Sequence, residues 1–306
     1  MAKALVGVDV VVHLAAYKQV GESTADPARY FLNNVGGMVS LLSSMDKAGV
    51  RRILYSSSAA VYGTQRVMPI REDASLQPDS PYGLTKAQGE RQLEFMVQCR
   101  EWSAVSLRYF NPVGAHPSGL IGEPFEYAAS LVPRALKGLA LDNETFSIFG
   151  TDYDTPDGTC LRDYIHVCDL AKAHLAALAV LERPGHHVFN VGTGRPHSVR
   201  EVLATCGRVS GLPVSVEEGP RRPGDVAVCQ ADPSAFERAV GFRATRGLDE
   251  MVESAWRWWC QNPNGYQTER RQKIAVNGGD WSMKFTERRA NRRPTGLPQP
   301  PALLRS

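Results

Sequence analysis

The sequence predicts an α/β protein: a parallel sheet with helices on both faces, joined to a smaller α/β lobe. Three observations predict it. Apolar, β-branched runs at 8–16, 52–58 and 104–110 alternate with long segments of helical period, and such alternation builds a parallel sheet flanked by helices. The first run (V-D-V-V-V-H-L-A-A) is continuously apolar rather than alternating, as strands buried on both faces are. After Asn111-Pro112 the alternation loosens into shorter elements, the pattern of a second lobe.

Each element has a local cause. Asp26-Pro27 is a helix start, an acid at the N-cap before proline at the first helical position. That helix runs to about Ala48, with Gly49 as its C-cap. Gly36-Gly37 inside it cost about 1 kcal/mol each relative to alanine, so a close approach to backbone or ligand is expected there. The strand at 52–58 ends in a run of serines, and Pro81 opens a helix reaching about Trp102. The second lobe should hold a helix at 127–138, a strand at 146–149 and a Gly/Asp/Thr-rich loop at 150–159. A helix at 167–181, a strand at 187–191, a helix at 198–210 and a strand at 214–217 follow. Short helices after Asp232 and at 248–260 close the ordered part. Residues 1–115 are read as the main lobe, with segments near 160–194 returning to it, and 116–266 as mainly the smaller lobe. Paired arginines, Gly-Gly and Pro-Gln-Pro-Pro make 267–306 a basic tail, expected to be disordered.

Composition excludes several classes. Hydrophobic content of 43% and charge of 22% are those of a globular protein. No apolar run reaches the roughly 18 residues that a membrane span needs. The net charge is +3, yet 268–306 carries nine Lys/Arg against three Asp/Glu, leaving residues 1–267 at −3. A mildly acidic body gives no footing for nucleic acid. The six cysteines form no C-x-x-C pair, which predicts no metal site and a reduced, cytoplasmic protein.

The chemistry lies in Ser58 and in Tyr82-Gly83-Leu84-Thr85-Lys86. Four apart on a helix, Tyr82 and Lys86 share a face. An ammonium near a phenol favours the phenolate, so a tyrosine with an ordinary pKa of about 10 can act as a base near neutrality. A serine hydroxyl at the strand end can share a proton with that tyrosine and a substrate alcohol. Together they are suited to oxidising an alcohol by hydride transfer.

Aligned in order from about Val8 to Tyr266, the segments H-L-A-A-Y-K-Q-V-G-E-S, N-N-V-G-G, S-S-S-A-A-V-Y-G, S-P-Y-G-L-T-K, R-Y-F-N-P-V-G-A-H-P-S-G, R-D-Y-I-H-V-C-D-L, F-N-V-G-T-G and P-R-R-P-G-D resemble the extended short-chain dehydrogenase/reductases. Within these they resemble the UDP-glucose 4-epimerases, the F-N-P-V-G-A-H-P-S-G segment being the most specific. The resemblance implies a Rossmann-type sheet binding NAD and a UDP-sugar substrate. By it, Tyr82 is the base, Ser58 bridges its proton, and Lys86 bonds the nicotinamide ribose. Leu14, Ala15, Ala16, Lys18, Asn33, Ser56 and Phe110 would line the cofactor beside Tyr82 and Lys86. Asn111, Ser130, Leu131, Phe149, Arg162, Arg222, Asp225 and Cys229 would hold the UDP-sugar. Guanidinium groups pair bidentately with phosphate oxygens, which suits the two arginines.

Three departures stand out: Ser130 where relatives often carry asparagine, Ala16 where glycine is usual, and the absence of the N-terminal G-x-x-G-x-x-G loop. That loop cradles the dinucleotide pyrophosphate, and Gly192-Thr193-Gly194 is no substitute. The Rossmann-type sheet is therefore expected to be incomplete, lacking its first strands. Dehydratases of the same superfamily place acidic residues where this chain has Ala59-Ala60, so epimerisation is favoured over elimination. The alternatives are another nucleotide-sugar epimerase or dehydratase, or an inactive truncated relative. Cys229, where some members carry a crowding tyrosine, predicts acceptance of N-acetylated UDP-hexosamines. With the N-terminal segment restored, the resemblance implies a homodimer through helices at 27–48 and 82–101, with Tyr30, Val35, Val39 and Leu42 supplying apolar contacts.

Overall fold

The computed structural model describes residues 2–123, 130–141, 145–222, 225–262 and 265–266. The start of the helix expected at 127–138, and the tail at 267–306, lie outside the described residues.

Strand β1 (Val11–His13) leads into a short helix, α1 (Val20–Ala25), that the sequence pattern does not predict. Helix α2 (Pro27–Tyr30) starts as expected, with the Asp26 carboxylate accepting from the Arg29 N–H at 3.2 Å. The chain then widens into a π-helical stretch, Phe31–Gly36, before α3 (Gly37–Ala48). Gly49, at φ 74°, closes α3 in the left-handed cap. Wide helical turns of this kind concentrate at functional sites. Here the widening accompanies an inward Asn34, whose side chain accepts from the Tyr17 N–H at 2.8 Å and donates to the Tyr17 carbonyl at 3.0 Å. The same amide donates to Thr85 Oγ1 at 3.1 Å, so the loop after β1 is fastened to the next helix. A methyl group added at Gly37 would meet no protein atom within 4 Å among the described residues; no backbone approach explains that glycine.

β2 (Arg52–Ser56), α4 (Pro81–Arg100) and β3 (Ser103–Tyr109) fall within two residues of expectation. Ser80 caps α4 by accepting from the Gly83 N–H at 3.1 Å. Then come β4 (Asn111–Val113), α5 (Leu131–Leu141), β5 (Phe146–Phe149), β6 (Leu161–His166), α6 (Val167–Ala177), β7 (Gly185–Val191) and β8 (Pro196–Ser198). α7 (Val199–Ser210), β9 (Val216–Gly219), β10 (Val228–Cys229), α8 (Ser234–Val240) and α9 (Leu248–Gln261) complete the order. The pattern does not predict β4, β6, β8 or β10. Three are too short to show a period, and β6 carries Arg162 and Asp163.

The main sheet is parallel, in the order β1-β2-β3-β7. Its two faces follow the strand period of two. Ile53, Tyr55 and Ala104 pack under α3 and α4 with Met38, Met45 and Leu93. Leu54, Val105 and Leu107 pack on the other face against α6 with Leu170, Ala173 and Ala177. A second sheet joins β10, β6 and β4 in parallel, with β8 antiparallel to β6, and β5 pairs with β9. A separate core gathers α5, α7 and α9 around Leu136, Val202, Met251 and Trp259.

One expectation is corrected. The run at 8–16 is a three-residue strand with β2 as its one neighbour among the described residues. Val12 is 44% and Leu14 62% exposed, so this strand is not buried on both faces. A strand at a sheet edge has one ladder to hold it and shortens accordingly.

Candidate active site

Ser58 leaves β2 in extended conformation and caps a short 3-10 turn, Ala59–Val61, its Oγ accepting from the Ala60 N–H at 3.2 Å. Tyr82 and Lys86 reach the same place from the first turns of α4. Two glycines let the helix come so close. A Cβ on Gly83 would collide with the Ala60 carbonyl, and one on Gly89 would lie 2.5 Å from the Tyr55 hydroxyl. Ser23 of α1 fixes the start of the helix by accepting from the Tyr82 N–H at 3.1 Å.

Tyr82 and Lys86 are 7% and 3% exposed. Burial, reinforced by Tyr109, pushes the Tyr82 phenol above its ordinary range, and hydrogen bonding with Ser58 works in the opposite direction. Burial brings Lys86 down to about 8, opposed by the charge of Glu90. The ammonium donates to the Ser56 carbonyl at 2.8 Å and lies 5.0 Å from the centre of the Tyr55 ring and 5.9 Å from that of Tyr82. Desolvation is the leading influence on both groups, and the ammonium is directed at Ser56. His13 stacks on Tyr55 at 5.8 Å and is lowered to about 4 by burial and by the Lys86 charge. It stays neutral beside the lysine.

The residues expected at a cofactor cluster at the C-terminal ends of β1, β2 and β3, where sheets of this class bind ligands. Leu14 and Ala15 are exposed and Ala16 is half-buried just past β1. Lys18 is exposed and pairs with Glu123 at 3.3 Å. Asn33 lies in the π-helical stretch and donates to Asn34 Oδ1 at 2.9 Å. The buried Ser56 hydroxyl bonds His174 Nε2 at 2.9 Å, and Phe110 is buried just past β3. This donor set fits the nicotinamide half of NAD: cationic and amide donors for ribose and phosphate oxygens, with apolar Ala15 and Phe110 nearby.

The residues expected at a UDP-sugar divide. Five come together around β6 and β10. The Arg222 guanidinium lies 3.6 Å from the centre of the Phe149 ring. The Asp225 N–H donates to the Arg222 carbonyl at 3.2 Å, and Arg162 pairs with Asp225 at 3.3 Å. Cys229 is the register partner of Arg162; burial raises its thiol to about 11, against the pull of Arg162. Asn111 is tied to the same strand by its amide, which donates to the Asp163 carbonyl at 2.8 Å. Ser130 is exposed at the start of α5, and the Leu131 side chain packs against the helical core of the smaller lobe.

Sequence reasoning missed two buried acids. Asp163, fully buried, accepts from the Thr193 N–H and hydroxyl at 2.8 and 2.7 Å, from the Gly194 N–H at 2.9 Å and from the Ala231 N–H at 3.1 Å. It thereby ties the 193–194 loop and the segment at Ala231 to the strand that carries Arg162. Glu90 is 4% exposed and pairs with Arg108, itself 5% exposed. Its place one turn beyond Lys86 on the buried stripe of α4 was the available signal.

Comparison with known proteins agrees with this geometry. The model of the NAD dependent epimerase/dehydratase family matches residues 1–192. The chain is similar to the UDP-glucose 4-epimerase of Bacillus subtilis (strain 168), 46% identical over 264 residues that cover 85% of this chain and 78% of that protein. It is similar to the UDP-glucose 4-epimerase of Dictyostelium discoideum at 45% identity over 260 residues, covering 84% and 76%. Among solved structures it resembles the UDP-glucose 4-epimerase of Bifidobacterium longum in complex with NAD+ and UDP, with a TM-score of 0.81 and 43% identity over 86% of this chain and 80% of that one. It also resembles the UDP-Glc/GlcNAc 4-epimerase of Campylobacter jejuni, with a TM-score of 0.71 and 36% identity over 83% and 78%. Matches of this extent, with the half-buried Ser58 beside the buried Tyr82 and Lys86 at the end of a parallel sheet, make the chain a member of the NAD-dependent epimerase/dehydratase family.

Proposed function

We propose that the chain interconverts UDP-glucose and UDP-galactose at C4 through a 4-keto intermediate, with NAD as cofactor. One observation carries this function: a buried tyrosine and lysine converge with a half-buried serine at the sheet end, in a chain that also gathers Arg162, Arg222 and Asp225 in its smaller lobe. When bound, NAD supplies the acceptor and donor of the C4 hydride. Leu14, Ala15, Ala16, Lys18, Asn33, Ser56, Lys86 and Phe110 would hold it. Tyr82 takes the proton of the sugar 4-hydroxyl and gives it back, and Ser58 shares that proton between the phenol and the sugar oxygen. Lys86, directed at Ser56, keeps a positive charge beside the phenol as it ionises. Arg162 and Arg222 bind the diphosphate, Phe149 and Asn111 bind the rest of the nucleotide sugar, and Ser130 and Leu131 offer their backbone. Ala59 and Ala60 bring no acid or base that could expel water, so the 4-keto sugar is reduced again rather than dehydrated.

Cys229 leaves room where a larger side chain would crowd the sugar, which supports N-acetylated UDP-hexosamines as further substrates. Residues 1–115 and 160–194 form the cofactor lobe, and 116–266 supply most of the sugar lobe. The active species is a homodimer in a reducing, cytoplasmic setting; all six cysteines are unpaired, and no helix among the described residues is long and apolar enough to cross a membrane. Leu32 and Val39 before and within α3, and Leu84 and Phe95 on α4, are exposed apolar groups suited to the dimer contact, whereas Tyr30 and Leu42 are turned into the core.

The test is proton NMR of the sugar anomeric signals. Purified protein with NAD and UDP-galactose should produce UDP-glucose, and a preparation that is folded by circular dichroism yet converts neither sugar would refute the assignment.

A further inference from the structure

The buried pair of Glu90 and Arg108 lies directly behind the reactive groups, and nothing in the proton transfer uses it. Arg108 Nε donates to both Glu90 oxygens at 2.9 and 3.2 Å, and its Nη2 donates to Oε2 at 2.6 Å. The remaining nitrogen, Nη1, donates to the Tyr62 hydroxyl and the Glu72 carbonyl, both at 3.0 Å. A buried ion pair survives only when its spare donors and acceptors are met in this way. The Glu90 carboxylate has one more partner: the Ser57 hydroxyl donates to Oε1 at 2.5 Å. Ser57 is fully buried, its N–H donates to the Tyr55 carbonyl at 3.1 Å, and its neighbour is Ser58.

Given the epimerase reading above, we propose that Glu90 is a positioning residue for the Ser58–Tyr82–Lys86 site: locked by Arg108, its carboxylate anchors Ser57 beside the reactive serine and sets a negative charge one helical turn from Lys86. The geometry makes one carboxylate serve both sides of the reaction centre. On the β2 side it fixes the backbone bend that aims Ser58 at Tyr82. On the α4 side its charge opposes the burial that would strip Lys86 of its proton. The groups facing Lys86 are Tyr82 and Glu90 on α4, Tyr55 on β2 and His13 on β1. Those facing Glu90 are Ser57, Tyr55, Tyr62, Arg108 on β3 and His186 on β7. Around Lys86, Glu90 is the carboxylate that favours the ammonium.

Two substitutions separate the two tasks. Glu90→Gln keeps the reach to Ser57 and removes the charge, whereas Glu90→Asp keeps the charge and shortens the reach. Labelling the lysine ε-carbons with carbon-13, with Lys86→Met to assign the signal, reads the Lys86 titration in the full chain without substrate. The midpoint should fall by about one pH unit in Glu90→Gln and stay within about 0.3 in Glu90→Asp. The alkaline limb of the rate profile should move the same way, costing Glu90→Gln about fivefold in turnover at pH 8.

Glu90→Gln leaves Arg108 buried without its anion and can fail to fold, so Ser57→Ala, which leaves the ion pair intact, is the second variant. Its kcat for UDP-galactose should fall at least about tenfold with KM within about twofold and with the Lys86 midpoint unmoved. A folded Glu90→Gln protein with the wild-type Lys86 midpoint overturns the proposal, and so does a Ser57→Ala enzyme with wild-type kcat. An inactive wild type whose Lys86 midpoint still responds to Glu90→Gln would refute the epimerase assignment and support the placement of Glu90.

Discussion

Helices α4 and α9 bury stripes of the same spacing and of opposite chemistry. In α9 the inward residues are Leu248, Met251, Val252, Ala255, Trp258 and Trp259. In α4 they are Tyr82, Gly83, Thr85, Lys86, Gly89, Glu90 and Leu93. The first stripe is held by removal of apolar surface from water, which is non-directional and tolerant of small shifts. The second is held by directed bonds: Lys86 to Ser56, Thr85 to the Tyr82 carbonyl, Glu90 to Arg108 and Ser57. Such bonds contribute little net stability but fix positions closely. The contrast implies that damage to α9 lowers stability while sparing turnover, and that changes in α4 that strand no buried charge do the reverse.

The sharpest way to break that contrast is Tyr82→Phe. It removes one oxygen and leaves the ring in its buried seat. Turnover should fall by about a thousandfold or more, with the melting temperature nearly unchanged and UDP-sugar binding retained. Near-normal epimerisation by this variant would show that α4 does not carry the base. Next in size is Met251→Ala on the other helix. Met251 is 1% exposed in the core of the smaller lobe, and its truncation should cost about 2–5 kcal/mol in urea unfolding. Turnover per folded molecule should stay within about twofold; a large loss at unchanged fold would mean that the α9 core also sets the site geometry.

The same contrast explains what the sequence could and could not reveal. Ser58, Tyr82 and Lys86 were legible because their relation is local: a strand end, a proline-started helix and a four-residue spacing. The main sheet was legible because β2 and β3 are long and apolar. Asp163 and Glu90 were not, since a buried acid looks like a surface acid until its donors are known, and those donors come from up to 68 positions away. The gathering of Arg162 with Cys229 depends on the register of β6 with a two-residue strand, which leaves no periodic trace. Leu131 marks the opposite case, a residue assigned by resemblance whose side chain the fold uses for packing.

Lys86 gives a contrast that pH can sharpen. Its folded-state pKa is lowered from 10.5 to about 8, mainly by burial. The unfolded chain therefore binds this proton more tightly, and the burden on the native state is greatest below pH 8. As pH rises from about 8 toward 10.5 the native state loses the proton first, so stability grows over that window. Measured against Lys86→Met, which cannot titrate, the wild type should gain about 2 kcal/mol between pH 7.5 and 9.5. Parallel curves for the two proteins would mean that Lys86 is not desolvated as the fold places it.

The smallest expected effect uses α4 alone. Four residues beyond Glu90, Glu94 makes the same kind of ion pair with an arginine, Arg91, at 2.5 Å. On distance alone it matches the Glu90–Arg108 pair at 2.6 Å. Environment separates them: the side chains of Arg91 and Glu94 are 62% and 39% exposed, against 6% and 5% for Arg108 and Glu90. Water screens the outer pair and solvates either partner when the other is lost, so Glu94→Gln should cost less than about 0.5 kcal/mol. Removing the Glu90 charge strands a guanidinium in the interior and should cost several times that, about 3–5 kcal/mol. Urea unfolding of the two variants side by side makes the comparison on one helix with one chemistry. Equal losses would mean that burial is not what distinguishes the inner face of α4 from its outer face.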